Sequence, residues 1–472
     1  MSFSVARFRV FFTVLIVMTF VVQDPAGMAT AAAQETAAAQ ETAEGQESRD
    51  AAEQAESPNT GDPDEKSGDP DEKSGESGKD SSVAPEASAE PSDQPDQPTA
   101  FSSEDDPAYV AEVERRLEVF HQAKAVLRDA ILEQRKIYMR YLNHEDRTPA
   151  SREAYMAQRI EVLERMDETY MAALDLSRIA GDQEAATYLV TMIDHRFKRD
   201  IYDVATLEGA TRMIDGGSQL AVMFLAAARS AMVVGEFDMA KKLYEVLASQ
   251  KEGVDPMATV DQSLASYLEK HRERFAVEAE IQAAEAKEDR NPRVKLKTTQ
   301  GDVLIELYIN QAPSTVANFI KLVESRFYDG LDFYQVIDHL FALTGDATGL
   351  GGGNSGKFVV DECDRPDARR PFRGSLLMAK IPMGDQGDFV PNSASTQFAI
   401  SFLPLAVSAD NQTVFGRVIE GMDAISRMQR IDPSKEKDKN AIQVPPDRII
   451  EATVIRRPEV LPEIEYFTPP GR

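Results

Sequence analysis

Intrinsically reactive side chains are scarce in this 472-residue chain, which has one cysteine, Cys363, and five histidines. No His/Cys pair has the spacing that closes a zinc site, so neither a metal nor a cofactor is expected. A lone thiol cannot form an intramolecular disulfide, and Cys363 reads as a small core or loop residue. The acid pair Asp361-Glu362 reads as a solvated loop. What stands out is a patterned stretch over residues 301–353. It contains Phe333-Tyr334-Gln335-Val336-Ile337, then Leu340-Phe341-Ala342-Leu343, then Gly345-Asp346 and the run Gly351-Gly352-Gly353. Further on come Gly374-Ser-Leu-Leu-Met-Ala379-Lys380, Thr396-Gln397-Phe398-Ala399-Ile400 and Thr413-Val-Phe-Gly416. Amides such as Gln335 and Gln397 can donate a hydrogen bond, but without charge and without the rigid fork of a guanidinium.

The elements around these residues alternate in hydrophobicity from about residue 293 to 457. Val294-Lys-Leu-Lys-Thr and Val303-Leu-Ile-Glu-Leu-Tyr308, joined around Gln300-Gly301-Asp302, predict a β-hairpin. Ala312-Pro313-Ser314-Thr315 is expected to cap a helix carrying Val316, Phe319, Ile320 and Val323. Short strands, glycine-rich loops and a second helix near 422–427 complete a pattern that predicts a closed β-barrel with two helices. The prolines of 458–472 suggest an extended strap or a disordered end.

Upstream the chemistry is different. Arg7 and Arg9 precede an apolar run over 10–22, of the length of a signal h-region and short for a permanent span. Residues 1–33 therefore read as an export signal, or as an uncleaved N-terminal anchor. Either way the body is expected outside the cytoplasm, periplasmic or extracellular. Residues 34–105 repeat Gln-Glu-Thr-Ala and Gly-Asp-Pro-Asp-Glu-Lys-Ser units and hold few large apolar side chains. Such a segment cannot bury enough surface to offset chain entropy and reads as a disordered acidic linker. A net charge of −28 excludes nucleic acid as a partner.

Residues 106–290 read as all-helical. Asp105-Asp106-Pro107 suits a helix start, and Tyr109, Val113, Leu117, Phe120, Leu127, Ile131, Tyr138 and Tyr141 form a stripe interrupted at Lys124 and Gln134. A second helix is expected after Thr148-Pro149, with breaks near Gly181-Asp182 and Gly216-Gly217. Residues 224–247 fit either a single tetratricopeptide-like unit or a generic antiparallel hairpin. A final helix is expected over 258–289, ending at Asn291-Pro292. Coiled-coil character and contact with a protein partner, or with a second copy, are the expected uses of this region.

The 293–457 segment resembles the cyclophilin family of peptidyl-prolyl isomerases on the motifs quoted above. The resemblance covers about a third of the chain and nothing before it. It implies a shallow apolar cleft that holds proline while an arginine hydrogen-bonds near the imide nitrogen. That contact lowers a rotational barrier of roughly 18–20 kcal/mol. The family's Phe-His-Arg-Val-Ile run is Phe333-Tyr334-Gln335-Val336-Ile337 here, so Gln335 stands at the arginine and Tyr334 at the histidine. The cleft phenylalanine and methionine correspond to Leu340 and Phe341, and the glutamine before Gly-Gly-Asp to Leu343. Gln397 is retained beside Phe398, while the second phenylalanine of that run is Ala399. Ala379 is followed by Lys380 in place of asparagine, and the loop 381–395 is longer than usual. The loop tryptophan and histidine correspond to Val407 and Gln412.

Gln335 and Gln397 are thus the candidate catalytic residues. Phe333, Tyr334, Leu340, Phe341, Leu343, Ala379, Lys380, Phe398, Ala399, Val407 and Gln412 are the candidate groove. Lys380 or Arg373 would be the substitute cation, if either reaches. Three readings follow. The first is an extracytoplasmic prolyl isomerase, slowed by loss of the arginine and acting on proline-containing peptides or client proteins. The second is a cyclophilin-like binding module without turnover. The third is an envelope scaffold assembled through the helices.

Overall fold

The computed structural model describes residues 106–249, 259–383, 388–405, 410–433 and 445–468. The expected export signal and acidic linker, and the candidate groove residue Val407, lie outside these residues. From Val113 onward the chain forms one compact unit.

Among the described residues, eight helices come first. Helix α1 (Pro107–Leu142) buries Phe120, Leu127, Ala130, Gln134, Ile137 and Tyr141, at steps of seven, three and four. Gln134, expected to interrupt the stripe, lies within it. Helix α2 (Pro149–Ser177) starts where Pro149 removes a useless donor and the Thr148 hydroxyl accepts from Ser151 N–H at 3.2 Å. Helices α3 (Gln183–Lys198) and α4 (Val204–Asp215) are capped by Asp182 and Asp203. Helices α5 (Ala221–Val234) and α6 (Phe237–Ser249) form a hairpin turned at Gly235. There φ is +93°, and a Cβ would come within 2.6 Å of the Phe275 ring, so only glycine fits. The expected final helix is two, α7 (Thr259–Ser266) and α8 (Leu268–Glu288), broken at Tyr267, where ψ opens to 11°.

The core of this region contains a fully buried ion pair. Arg229 and Asp261, with side chains 1% and 0% exposed, meet through two hydrogen bonds of 2.7 and 2.6 Å. Arg229 also donates to the Tyr202 hydroxyl at 2.8 Å and stacks over Phe197.

The alternating segment forms β1 (Arg293–Thr298), β2 (Gly301–Leu307), β3 (Gln335–Ile337), β4 (Phe341–Thr344), β6 (Ser375–Met378), β9 (Phe398–Ser401), β10 (Val414–Glu420) and β11 (Ile449–Arg456). They make one sheet in the order β11-β1-β2-β10-β6-β9-β4-β3, with β1 and β2 the expected hairpin. The sheet curls into a half-barrel whose continuous ladder ends at β3 and β11, with one isolated antiparallel bridge, Asp332 to Arg448, between the segments beside them. Scattered backbone bonds tie those ends, among them Gly330 N–H to Ile449 O at 2.7 Å and Phe333 N–H to Asp447 O at 2.7 Å.

Helix α9 (Pro313–Glu324) fills the concave side with Val316, Phe319, Ile320 and Val323, against Phe398 and Phe415. The short α10 (Met422–Ser426) is the second helix. Two small pairs complete the domain. Strands β7 (Pro382–Met383) and β8 (Asp388–Phe389) make an exposed hairpin. Strand β5 (Phe358–Val359) pairs with the C-terminal β12 (Tyr466–Phe467). The Ser314 hydroxyl also accepts from Glu465 N–H at 2.8 Å.

The helices pack on this half-barrel within the same chain. Leu403 of the C-terminal domain belongs to the helical core, and Phe275 stacks edge-on against Phe372 at 5.9 Å. Arg369, 1% exposed, lies between Glu278 and Glu285 of α8. Arg274 reaches Asp410 at 2.5 Å.

Candidate functional site

Strand alternation sorts the candidate residues. Val336, Ala342, Ile400 and Leu376 face the core. Their neighbours Gln335, Leu343, Ala399 and Leu377 are register partners in a row across the outer face of β3, β4, β9 and β6. Phe341, two residues along β4 from Leu343, extends the same face and pairs with Ile337 and Ser401. Leu340 stands at the turn before it, half-buried. The structure therefore brings Gln335, Phe341, Leu343 and Ala399 onto one surface, apolar except for the glutamine.

Tyr334 and Gln397 flank one end of this row. The Tyr334 hydroxyl donates to Oε1 of Gln397. Burial, with the nearby Asp346 carboxylate, pushes the Tyr334 phenol up, so it remains a neutral donor. The Gln397 amide nitrogen donates to Gly353 O at 2.6 Å and, more weakly, to Gly351 O at 3.3 Å. Gln397 thus holds the glycine-rich loop, and its amide has no hydrogen left for a substrate. The Gln335 amide, half-buried, makes no side-chain hydrogen bond among the described residues. Of the two candidate donors, only Gln335 is uncommitted.

Asp346 organises the loop. Burial pushes its carboxyl up, but the N–H groups of Thr348, Gly353 and Gly351 and the Thr348 hydroxyl outweigh that and hold it below the ordinary range. Before it, Gly345 has φ +91° and lies where a Cβ would come 2.4 Å from Thr396 O. The Gly345-Asp346 and Gly351–Gly353 motifs serve as the seat of Gln397.

At the other side, Ala379 N–H donates to Gln397 O at 3.0 Å, and Lys380 follows. The Lys380 ammonium is buried against Asp361, at 2.6 Å, and Asn411 O, at 2.9 Å, next to Gln412. Lys380 therefore fastens the base of the 381–395 loop and offers no cation to the outer face. Arg373 is no substitute either, since it donates to Phe402 O at 3.0 Å and to the Ser426 hydroxyl at 3.2 Å, on the side facing the helices.

Three expectations are corrected. Phe333 and Phe398 do not line the groove; both are 0% exposed in the inner core. Phe398 alternates with the outward Ala399, and Phe333 precedes the start of β3, so alternation does not apply to it. Asp361-Glu362 is not solvated: Glu362 accepts from Ser314 and Thr315 N–H, each at 2.9 Å, and caps α9 in place of a local residue. Among the described residues no group of His, Cys, Asp and Glu gathers as a metal site.

Sequence reasoning missed Asp200, which reaches from the helical region to the β3–β4 turn at His339, 2.6 Å away. No local signal marks a contact between residues so distant in sequence.

Residues 293–454 match the family model described as cyclophilin type peptidyl-prolyl cis-trans isomerase/CLD. The chain is 34% identical over 170 residues to peptidyl-prolyl cis-trans isomerase-like 1 of Neurospora crassa, covering 35% of this chain and 96% of that protein. It is 33% identical over 164 residues to peptidyl-prolyl cis-trans isomerase ppi1 of Schizosaccharomyces pombe, covering 34% and 98%. A crystal structure of a Cryptosporidium parvum cyclophilin type isomerase, in the presence of the dipeptide Ala-Pro, aligns with 34% of this chain and 98% of its own. Its identity is 26% and its TM-score 0.29. Through its C-terminal domain, the chain belongs to the cyclophilin-type peptidyl-prolyl isomerase family.

Proposed function

We propose that this protein is a slow prolyl isomerase of exported clients, binding proline-containing segments on the outer face of β3, β4 and β9. The observation that carries the reading is the uncommitted Gln335 amide on an otherwise apolar row with Phe341, Leu343 and Ala399. Apolar side chains hold the proline ring, and one neutral donor is available near the imide nitrogen. Losing one charge-assisted contact aimed at a transition state costs about 2.7–4 kcal/mol, a factor of roughly 10²–10³ in rate. Export is supported by Arg7, Arg9 and the apolar run over 10–22.

A second reading, peptide binding without turnover, is favoured by Gln397, whose hydrogens are both directed to backbone carbonyls of the glycine loop. Exchange NMR on a short X-Pro peptide separates the two, using the chain from residue 106 onward and its Gln335→Arg variant. Acceleration by the native protein supports the isomerase. Line broadening from binding, without exchange until arginine is introduced, supports the binding module. Neither binding nor exchange from either protein would refute both.

A further inference from the structure

A second cavity, remote from the outer face of β3 and β4, opens between the helices and the C-terminal domain. Its volume is about 740 Å³, within the range of small-molecule sites. One wall is apolar, with Met166 and Met192 among its side chains, and the other carries Arg159, Arg199, Arg427 and His195.

The charges on that second wall are poorly balanced. Arg159 donates to the neutral Gln300 side chain at 2.5 Å, and Arg427 donates to Gln300 O at 3.1 Å. The two guanidinium groups thus share one uncharged residue at the β1–β2 turn. Arg427 pairs with Asp423, which is largely exposed, and the Arg427 Nε is buried with no partner among the described residues. The Arg199 side chain makes no ion pair among the described residues. Burial, then Arg430 and Arg159, bring its pKa down to about 10 against the weaker pull of Asp338 and Asp447. Most acids around the cavity are already engaged: Asp167 and Asp203 bind Arg196, Glu168 binds Arg165 and Asp423 binds Arg427. Asp447, bonded to Thr299 and Gln300, attracts Arg159 without an ion pair to it, and the exposed Glu164 is the one lining carboxylate that makes no ion pair among the described residues. Like charges gathered in a half-buried wall repel one another unless an anion lies between them. Guanidinium groups are suited to carboxylate and phosphate oxygens.

We propose that this cavity binds a small amphipathic anion, its carboxylate or phosphate head held by Arg159, Arg199 and Arg427 and its apolar body on the methionine wall. The flexible thioethers of Met166 and Met192 adapt to bodies of different shape. The ligand is defined by a single head group with an attached short hydrocarbon, which the charged wall and apolar wall select together.

The test is calorimetric titration of the chain from residue 106 onward with hexyl phosphate, hexanoate and inorganic phosphate. Hexyl phosphate or hexanoate is expected to bind at least ten-fold more tightly than inorganic phosphate. Arg199→Gln is expected to weaken that binding at least ten-fold; because Arg199 makes no ion pair, the variant should still fold. Arg272→Gln, at an exposed arginine paired with Asp238 elsewhere on the helices, should bind as the native protein does. A rise in melting temperature with ligand, lost in Arg199→Gln, would give independent support. Absence of binding by all three probes, or equal loss in Arg199→Gln and Arg272→Gln, would overturn the proposal. Inorganic phosphate binding as tightly as hexyl phosphate would overturn the role of the methionine wall.

Discussion

Asp200 and His339 meet across the two domains, with Oδ1 of the carboxylate 2.6 Å from Nδ1 of the imidazole. The His339 backbone N–H donates to the other oxygen at 3.2 Å, and Arg430 donates to that oxygen at 2.7 Å. His339 has φ +67°, a left-handed conformation uncommon for a side-chain-bearing residue. It sits between the two strands that carry Gln335 and Leu343. A helical-region carboxylate thereby fixes the turn that sets the outer face.

That contact predicts a dependence on pH. Burial pushes the Asp200 carboxyl up, but the His339 hydrogen bond and the charges of His339 and Arg430 outweigh it, so the folded value lies below the ordinary one. A carboxyl depressed in this way stabilises the fold above its unfolded pKa of about 3.9, and the contribution is lost as pH falls through the folded value. Asp200→Asn should lower the melting temperature near neutral pH, by the equivalent of about 3–5 kcal/mol for one broken buried partner. The gap from the native protein should close toward pH 2. A gap that persists in acid would contradict this account.

His271 should act in the opposite sense to a stabilising histidine. Burial, then Arg274 and Lys270, bring its pKa down to about 4, with Asp410 opposing. Neither ring nitrogen has a hydrogen-bond partner among the described residues. The unfolded chain then takes up a proton near pH 6.5 while the folded protein does not, so stability should fall from about pH 6.5 to about 4. His271→Leu should flatten that part of a urea-midpoint profile. An unchanged slope would show that the ring is not the source.

The two glutamines should separate under mutation. Gln335→Ala removes the uncommitted donor, with an expected loss of about 1 kcal/mol, or roughly five-fold, in any measured turnover at unchanged stability. Gln397→Ala leaves Gly353 O and the Tyr334 hydroxyl without partners, so it should lower the melting temperature as well. Equal stability for both variants would mean that Gln397 does not hold the loop.

The buried pair Arg229–Asp261 should be strongly coupled. Asp261→Ala strands a guanidinium in the helical core, at an expected cost of about 3–5 kcal/mol. Arg229→Met combined with Asp261→Leu should cost much less than the sum of the single changes. Additive urea-unfolding energies would argue against the pair.

Local features of the sequence predicted much of this structure. Thr148-Pro149 marks a helix start by the chemistry of its own two residues, and the Phe333–Ile337 and Thr396–Ile400 motifs located two strands of the outer face. The errors came where distant partners decide the environment. Glu362 looked solvated because nothing nearby in sequence reveals that it caps α9. Phe333 looked like a groove residue because the start of β3 is set by pairing with β4. Lys380 and Arg373 read as candidate cations because nothing near them in sequence shows that Asp361, Phe402 and Ser426 hold them. Asp200 has no signature, since an aspartate after a helix is ordinary until His339 is placed against it.

The pairing of β12 with β5 has a practical consequence for handling the protein. Because Tyr466 and Phe467 lie in a strand and Glu465 is bonded to Ser314 at the start of α9, residues 465–467 are part of the domain's girdle. Carboxypeptidase digestion that passes residue 466 would unfasten the segment holding the β5 loop. Limited exopeptidase trimming therefore becomes a simple gauge of how tightly that girdle is drawn.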